Sequence, residues 1–283
     1  MLPDNPNSIV GLVLLFLTAA ATYQGFRHSA YQARYDFYVD GILVERQYDR
    51  LLSSGFLHVG WLHFGFNMAT LLSFSFSLEL LLGPWRLLLL YFTSMLGGSI
   101  LSLYIHRHHG DYRAVGASGA ISGVVFATIV LFPDSEIGIL LLPFSIKGWI
   151  FALLFLLVSI FGIKNKMDHI GHEAHLGGAI TGVLVAVALQ PGILQQNWWV
   201  VLAILVPVTL FLLLIVRNPA VLMIDNYWGE TIKSATTIGR KPTVPQKKVS
   251  EQEELNQLLD KIKTSGLASL SPRERQRLEA LSK

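Results

Sequence analysis

The chain has 283 residues, of which 52% are hydrophobic and only 14% are charged. A soluble domain carries about 25% charged residues, so this composition excludes an ordinary water-soluble enzyme and indicates a membrane protein. The sequence contains no cysteine, which rules out disulfides, a thiolate nucleophile and a cysteine metal cage.

Seven apolar runs approach the length of about 20 residues that a helix needs to cross a membrane. They are Ile9–Tyr23, Leu57–Leu82, Trp85–Ile105, Ala114–Phe132, Lys147–Ile163, His172–Gln190 and Trp198–Val216. The run Glu136–Ser145 is too short to span, so we expect it at the interface or folded back into the protein. Residues 1–8 carry no basic charge, so we expect a retained first span rather than a cleaved signal peptide. The pattern predicts an all-α polytopic membrane helix bundle.

The segments outside the spans differ in character. The first connection, residues 24–56, is too long for a structureless loop, and we expect it to fold against the bundle. Residues 217–283 hold 12 of the 22 Lys and Arg but also 8 acidic residues, which favours a solvated tail over one that binds lipid or nucleic acid. A capping signature at Ser271–Glu274 predicts a small soluble helical hairpin at the end of this tail. The predicted organisation is a membrane core (1–190), a seventh span with its juxtamembrane segment (191–231), a basic linker (232–250) and the hairpin (251–283).

Polar side chains inside a span are costly, so each one is a functional hypothesis. Three predicted spans carry such groups near their starts: His58, His63 and Asn67 in the second, Ser118 in the fourth, and His172 and His175 in the sixth. Because alternate spans run in the same direction, these three starts lie on one side of the membrane. The polar residues sit about five to eight positions into their spans, roughly 10 Å deep, so we expect them to meet at one level.

Small residues surround two of these groups. Glycines flank Ser118 and follow His175, at positions Gly116, Gly119, Gly123, Gly177, Gly178 and Gly182. Small-residue faces let membrane helices pack closely. Close packing brings the Ser118 hydroxyl within hydrogen-bond reach of His175, which is the arrangement of a nucleophile and its general base.

The remaining polar groups suit the stabilisation of an oxyanion. The backbone N–H of Ser118 and the side chains of His63 and Asn67 supply hydrogen-bond donors. Glu173 points about 100° away from its neighbour His172 on a helix, and no other acidic residue lies at a suitable depth. We therefore predict a Ser-His dyad without an acidic third member.

Metal chemistry is a weaker interpretation of the same region. The segment His172–His175 resembles the zinc motif His-Glu-x-x-His, but its two histidines are three residues apart rather than four, and no third ligand is evident. His106, His108 and His109 lie in a polar loop, where we expect them to be solvated. We predict no bound metal, and a structural role for Ser122.

The chain resembles the rhomboid family in an ordered set of segments. These segments are Arg50–His58, His63–Met68, Glu79 with Gly83, Gly116–Gly119 and Ala174–Gly178. The resemblance covers about residues 9–190. It implies a six-helix core, followed here by a seventh span, and an intramembrane serine protease that cleaves the transmembrane segments of other membrane proteins without a cofactor.

Carried over position by position, the resemblance implies Ser118 as nucleophile and His175 as general base, with His63 and Asn67 forming the oxyanion hole. Structural positions near the site are expected at His58, Glu79, Gly116, Gly119 and His172. Leu81 stands where the family often has an arginine, which puts the family's hydrogen bonding around Glu79 in doubt. The expected partners are membrane protein substrates and membrane lipid, and the expected location is a bacterial inner membrane.

Two other classes of function stay open. A catalytically silent rhomboid-like protein that binds membrane clients typically lacks the serine or the histidine, whereas this chain has both Ser118 and His175. A transporter needs polar groups deeper in the bundle than the single mouth predicted here. The orientation of the tail is also open, because the family's usual topology and the positive-inside rule disagree.

Overall fold

In the computed structural model the chain divides into two compact units, Met1–Glu230 and Thr231–Lys283. The structure describes residues 9–138, 145–165 and 170–217 and, in the second unit, the helical positions 258, 259, 261–263 and 278. The predicted basic linker and most of the predicted helical hairpin lie outside the described residues.

Seven long helices carry the first unit. They are α1 (Val10–Arg27), α5 (Trp61–Leu82), α6 (Pro84–His106), α7 (Ser118–Leu131), α8 (Gly148–Asn165), α9 (His172–Leu189) and α11 (Trp198–Arg217). The shorter helices are α2 (Ser29–Tyr35), α3 (Val39–Leu43), α4 (Arg50–Ser53) and α10 (Ile193–Gln196), with a 3₁₀ turn at Ser54–Phe56.

The long helices match the predicted spans one to one. Among the described residues, α1, α5, α6, α9 and α11 are long and apolar enough to cross a membrane, and α7 and α8 are shorter apolar helices. The predicted all-α polytopic bundle is confirmed, and the chain is a multi-pass integral membrane protein.

Helix α7 lies at the centre of the bundle, packed against α6 and α9, and nearly all of its side chains are buried. Its backbone comes very close to that of α9. A Cβ atom built on Gly178 would lie 1.9 Å from the carbonyl oxygen of Gly119, and one on Gly182 would lie 2.3 Å from that of Gly123. No side chain fits at these crossings, so the glycines set the separation of the two helices.

A buried carboxylate fastens α1 to the end of α5. Glu79, near the C-terminus of α5, accepts hydrogen bonds from the backbone N–H groups of Ile9 (3.1 Å) and Val10 (3.0 Å). These groups are among the first N–H donors of α1, which have no partner within their own helix. Glu79 therefore caps the N-terminus of α1. This contact does not need the arginine that the family often has at position 81.

The long first connection folds as expected, as α2, α3, α4 and the 3₁₀ turn. Phe37, Val39 and Ile42 form a small apolar core of its own. Phe37–Tyr38 is a short strand, β1, that pairs antiparallel with β2, Arg113–Ala114. This pairing joins the first connection to the segment that leads into α7.

After α7, the chain forms a second small hairpin and continues into α8. Strands β3 (Glu136–Gly138) and β4 (Ser145–Lys147) pair antiparallel, and residues 139–144 between them lie outside the described part. The predicted stretch Glu136–Ser145 thus begins and ends in paired strands. Helix α11 is attached at its start, where the Asn197 side chain donates to the last carbonyls of α7, at Val130 and Leu131.

The glycine crossing generates a prediction about packing. Gly178→Ala forces α7 and α9 apart, because the added methyl group meets the backbone of Gly119. Overpacking of this kind costs about 1–3 kcal/mol, so we expect a lower thermal unfolding midpoint in detergent. Gly65→Ala on α5 is the matched control, since a Cβ atom there meets nothing within 4 Å. An equal midpoint for the two variants would contradict the close crossing.

Candidate active site

Ser118 is the first residue of α7, so the expected position several residues inside a helix is wrong. The predicted span began at Ala114, but Arg113–Ala114 forms strand β2 instead. Gly116 then takes a φ angle of +144°, a conformation that favours glycine, and turns the chain into the helix. Ser118 consequently stands at the helix mouth, where its backbone N–H has no intrahelical acceptor.

The structure places His175 against Ser118. His175 is the fourth residue of α9, and its Nε2 atom lies 2.7 Å from the Ser118 Oγ atom. Both residues are half-buried. The imidazole ring packs against Phe155 of α8, with 5.8 Å between ring centroids. Contact with the serine on one side and an aromatic ring on another restricts the imidazole's orientation.

Gly116 leaves an open space next to this pair. A Cβ atom on Gly116 would lie 3.3 Å from His63 Nε2 and 3.7 Å from Ser118 Oγ, so the missing side chain leaves room between the two groups. Asn67 is one helical turn beyond His63, and its Nδ2 atom donates to the His63 carbonyl oxygen at 2.9 Å. An amide nitrogen carries two N–H bonds, so Asn67 keeps a second donor for a ligand.

His58 lies outside the predicted second span, because α5 begins at Trp61. The Thr22 hydroxyl lies 3.0 Å from the Phe56 carbonyl oxygen and 3.0 Å from His58 Nδ1. Since Thr22 has one proton and the carbonyl can only accept it, Nδ1–H is the donor to Thr22. Burial, together with nearby His63, lowers the pKa of His58 to about 3. His58 is therefore neutral in the fold and ties α1 to the start of α5.

Gly116, Gly119 and His172 lie near the dyad as predicted, whereas the expectation for Glu79 is wrong, because it caps α1 at the other end of α5. The His172 ring occupies the space beside Gly162 of α8, where a Cβ atom would lie 2.2 Å from it. Gly119 lies against the α9 backbone, since a Cβ atom built on it would lie 3.2 Å from the Ala174 carbonyl oxygen. The Ser122 hydroxyl donates to the Ser118 carbonyl oxygen at 2.8 Å, which is a structural contact. Within the described residues, no group of three metal-ligating side chains comes together.

An ion-pair cluster on the first connection was not predicted from the sequence. The buried Asp36 carboxylate accepts from Arg50 at 2.7 Å and from Arg113 at 2.9 Å. Arg50 also donates to the carbonyl oxygens of Ala33 and Asp36, and the Arg113 guanidinium lies over the Tyr38 ring. These contacts, with the β1–β2 pairing, hold the segment that precedes Ser118.

A second unpredicted cluster lies on the other side of that segment. Glu173, also in the first turn of α9, is buried and bonds both His106 Nε2 and the Tyr112 hydroxyl. The His106 and Tyr112 rings stack 3.5 Å apart. The expectation that His106 is solvated is wrong, because Tyr112 and Glu173 enclose it, whereas His108 and His109 are exposed.

A cavity of about 960 Å³ joins these parts. Ser118, His175, His63 and Asn67 line it on one side, and its wall continues through polar residues of the first connection and of the α6–α7 loop, such as Asp36 and Arg113. Ser118 and His175 therefore face a cavity that carries several polar side chains among apolar ones and that is large enough for a ligand.

Comparison with known proteins gives two family matches. The model of the Rhomboid domain matches residues 45–192, and a model described as a family of unknown function (DUF6576) matches residues 243–283. The matched rhomboid region contains every residue of the proposed dyad and oxyanion site.

Curated relatives agree with the first match. The chain is 31% identical over 150 residues to Rhomboid protein 1, mitochondrial, of Saccharomyces cerevisiae, covering 52% of this chain and 43% of the yeast protein. It is 34% identical over 137 residues to Presenilin-associated rhomboid-like protein A, mitochondrial, of Danio rerio, covering 47% and 35%. With Rhomboid protease GluP of Bacillus subtilis it shares 28% identity over 150 residues, covering 53% and 28%.

The chain aligns with less than half the length of each of these relatives. Two of the three are named as mitochondrial and one comes from a bacterium. The predicted bacterial inner membrane is therefore not supported, while a multi-pass location in a membrane is.

The neutral state of His58 generates a pH prediction. The unfolded chain protonates this histidine below about pH 6.5, whereas the folded protein does so only near pH 3. Stability contributed by the neutral ring is therefore present above pH 6.5 and falls as the pH drops toward 3, by about 1.5–2 kcal/mol between pH 6.5 and 5. His58→Asn keeps a donor near Thr22 but does not titrate.

We expect the unfolding midpoint of the parent in detergent to fall more steeply between pH 7 and pH 5 than that of His58→Asn. The two proteins differ only at position 58, so the difference between their curves isolates this residue. Parallel pH curves would show that folding does not change the protonation of His58.

Proposed function

Since the chain belongs to the rhomboid family, we propose that it is an intramembrane serine endopeptidase that cleaves transmembrane segments of other membrane proteins. The observation that carries this proposal is the 2.7 Å separation of His175 Nε2 and Ser118 Oγ at the wall of a cavity that also carries other polar side chains. A serine hydroxyl is a weak nucleophile until a base accepts its proton, and the imidazole stands where that transfer occurs.

In the first half of the reaction, His175 Nε2 removes the Ser118 proton as Oγ attacks the carbonyl carbon of the scissile peptide bond. This step requires the His175 tautomer with its proton on Nδ1. The resulting imidazolium then donates the proton to the amide nitrogen as the C–N bond breaks. One product segment leaves with a new amine, and the other stays as an ester on Ser118.

The negative charge that develops on the carbonyl oxygen falls into the space beside Gly116. The Ser118 N–H, His63 Nε2–H and the second Asn67 N–H supply donors around it. Within the described residues, His63 Nδ1 is buried without a hydrogen-bond partner. If the ring proton is on Nε2, the buried Nδ1 atom is an unprotonated nitrogen rather than an unpaired N–H. The tautomer that donates from Nε2 therefore has the lower free energy.

In the second half, a water molecule attacks the carbonyl carbon of the ester and His175 accepts its proton. The bond between that carbon and Ser118 Oγ then breaks, Oγ takes the proton from His175, and the second product leaves with a new carboxyl group. The cavity reaches from the dyad to polar residues of the α6–α7 loop, which gives water a route into the bundle. A peptide bond inside a transmembrane helix is shielded by its own hydrogen bonds. The substrate segment must therefore unwind where its released backbone groups meet polar partners, and this cavity offers them.

Loss of either member of the dyad tests the function. We expect Ser118→Ala and His175→Ala to abolish cleavage of a labelled single-span substrate by purified protein in detergent, because each removes the nucleophile or its base. The matched controls are Ser73→Ala, which alters an exposed serine of α5, and His108→Ala, which alters an exposed histidine. Both controls should cleave at the parental rate.

Cleavage by Ser118→Ala would show that the activity comes from another site or protein. Absence of cleavage by the parent across several substrates and lipids, together with retained binding of those substrates, would favour a client-binding protein without catalysis.

The oxyanion donors generate a separate prediction. Loss of one such donor costs about 10²–10³-fold in kcat in favourable cases, so Asn67→Ala and His63→Ala should each slow turnover while KM changes little. Thr70→Ala, on the exposed face of the same helix, is the control. An unchanged kcat in the double variant Asn67→Ala/His63→Ala would exclude this oxyanion hole.

A further inference from the structure

The carboxylate of Glu173 has no role in the reaction steps above, yet it is buried two residues before His175. Its residue is only 5% exposed. Burying a carboxylate without partners costs several kcal/mol, so its surroundings must compensate. They do so through side chains that belong to two other segments of the fold.

Those partners are His106, the last residue of α6, and Tyr112, in the loop before Ser118. His106 Nε2 lies 3.1 Å from Glu173 Oε1, and the Tyr112 hydroxyl donates to the same oxygen. Burial and the carboxylate raise the pKa of Tyr112 well above its usual range, so the hydroxyl keeps its proton at any ordinary pH. The two rings stack with an interplanar angle of 6°, which keeps both donors aimed at Glu173.

These contacts hold the N-terminal end of α9, in addition to the packing of His172 against Gly162 and of Ala174 against Gly119. Gly171 precedes α9 and provides no side-chain cap, and helix termini fray when their first N–H groups lack partners. His175 is in this first turn. Residues two apart on a helix point roughly 200° from each other, so Glu173 faces α6 and the loop while His175 faces Ser118.

We propose that Glu173, His106 and Tyr112 form a polar clamp that positions the catalytic base by fixing the first turn of α9. The clamp also acts on the nucleophile's side, because Tyr112 is followed by strand β2 and the Gly116 turn into α7. It thus sets the distance between the two reacting groups from both sides. This role rests on the proposed protease function and deepens it, with Glu173 as a positioning residue.

The test measures kcat and KM for the single-span substrate, and the rate at which a fluorophosphonate probe labels Ser118 by displacement of its fluoride. A misplacement of about 1 Å costs up to about 10²-fold in rate, so Glu173→Ala should lower kcat and the labelling rate at least about tenfold, with KM within about twofold. Glu45→Ala, at an exposed glutamate, should match the parent.

Conservative variants separate positioning from a general loss of stability. Glu173→Gln keeps an oxygen that accepts from Tyr112 and gains an amide that can donate to His106, so it should recover most of the rate. Tyr112→Phe removes one hydroxyl and keeps the stacked ring, and it should lower kcat in the same direction by a smaller factor. Tyr104→Phe, at an exposed tyrosine, is the matched control, and Tyr112→Phe remains informative if Glu173→Ala does not fold.

The two proposals fail in different ways. Parental kcat and labelling in Glu173→Ala and Tyr112→Phe, with Ser118→Ala silent, would overturn the clamp and leave the protease intact. A loss in Glu173→Gln as large as in Glu173→Ala would also overturn it, because the charge and not the hydrogen bonding would then matter. An active parent whose Ser118→Ala variant still cleaves would remove the function on which the clamp rests.

Discussion

The close approach of the α7 and α9 backbones determines how the bundle packs and how far apart Ser118 and His175 lie. Two glycines of each helix meet at the crossing, and Gly178 lies so near the Gly119 carbonyl that no larger residue fits. Lipid tails provide no hydrophobic force that drives helices together, so packing of small residues supplies the attraction. The crossing lies within one turn of both Ser118 and His175, and it therefore sets the distance at which a serine proton can pass to an imidazole.

Packing alone does not fix the mouth of the bundle, where α7 and α9 begin. Two buried carboxylates bind this region. Asp36 forms an ion pair with Arg113 on one side, and Glu173 accepts a hydrogen bond from Tyr112 on the other. Residues 112–114 are thus fastened between the first connection and α9, directly before the Gly116 turn. Buried ionic contacts contribute little net stability compared with apolar packing. Their directionality, however, favours one arrangement of the groups that they join, and the proposed reaction depends on that arrangement.

Periodicity, breakers and helix direction were enough to predict seven apolar helices and the approach of Ser118 to His175. That inference succeeded because a membrane allows few topologies and makes each buried polar group conspicuous. It failed at the start of α7, since apolar residues 114–117 suit either a helix or a strand and only pairing with Phe37–Tyr38 decides between them. It also failed for Glu173, whose partners come from segments more than 60 residues away in sequence.

The same contacts bear on how the proposed base is oriented. In a serine triad a carboxylate orients the imidazole and stabilises its protonated form. The carboxylate nearest to His175 in the sequence, Glu173, points to the opposite side of α9 and bonds His106 and Tyr112 instead. Packing against Phe155 and the helix turn that Glu173 holds in place both contribute to the orientation of the His175 ring. By fixing the backbone of the helix turn that carries His175, Glu173 would do part of what the triad carboxylate does, namely orient the imidazole. The cavity beside the dyad gives water access to the imidazolium.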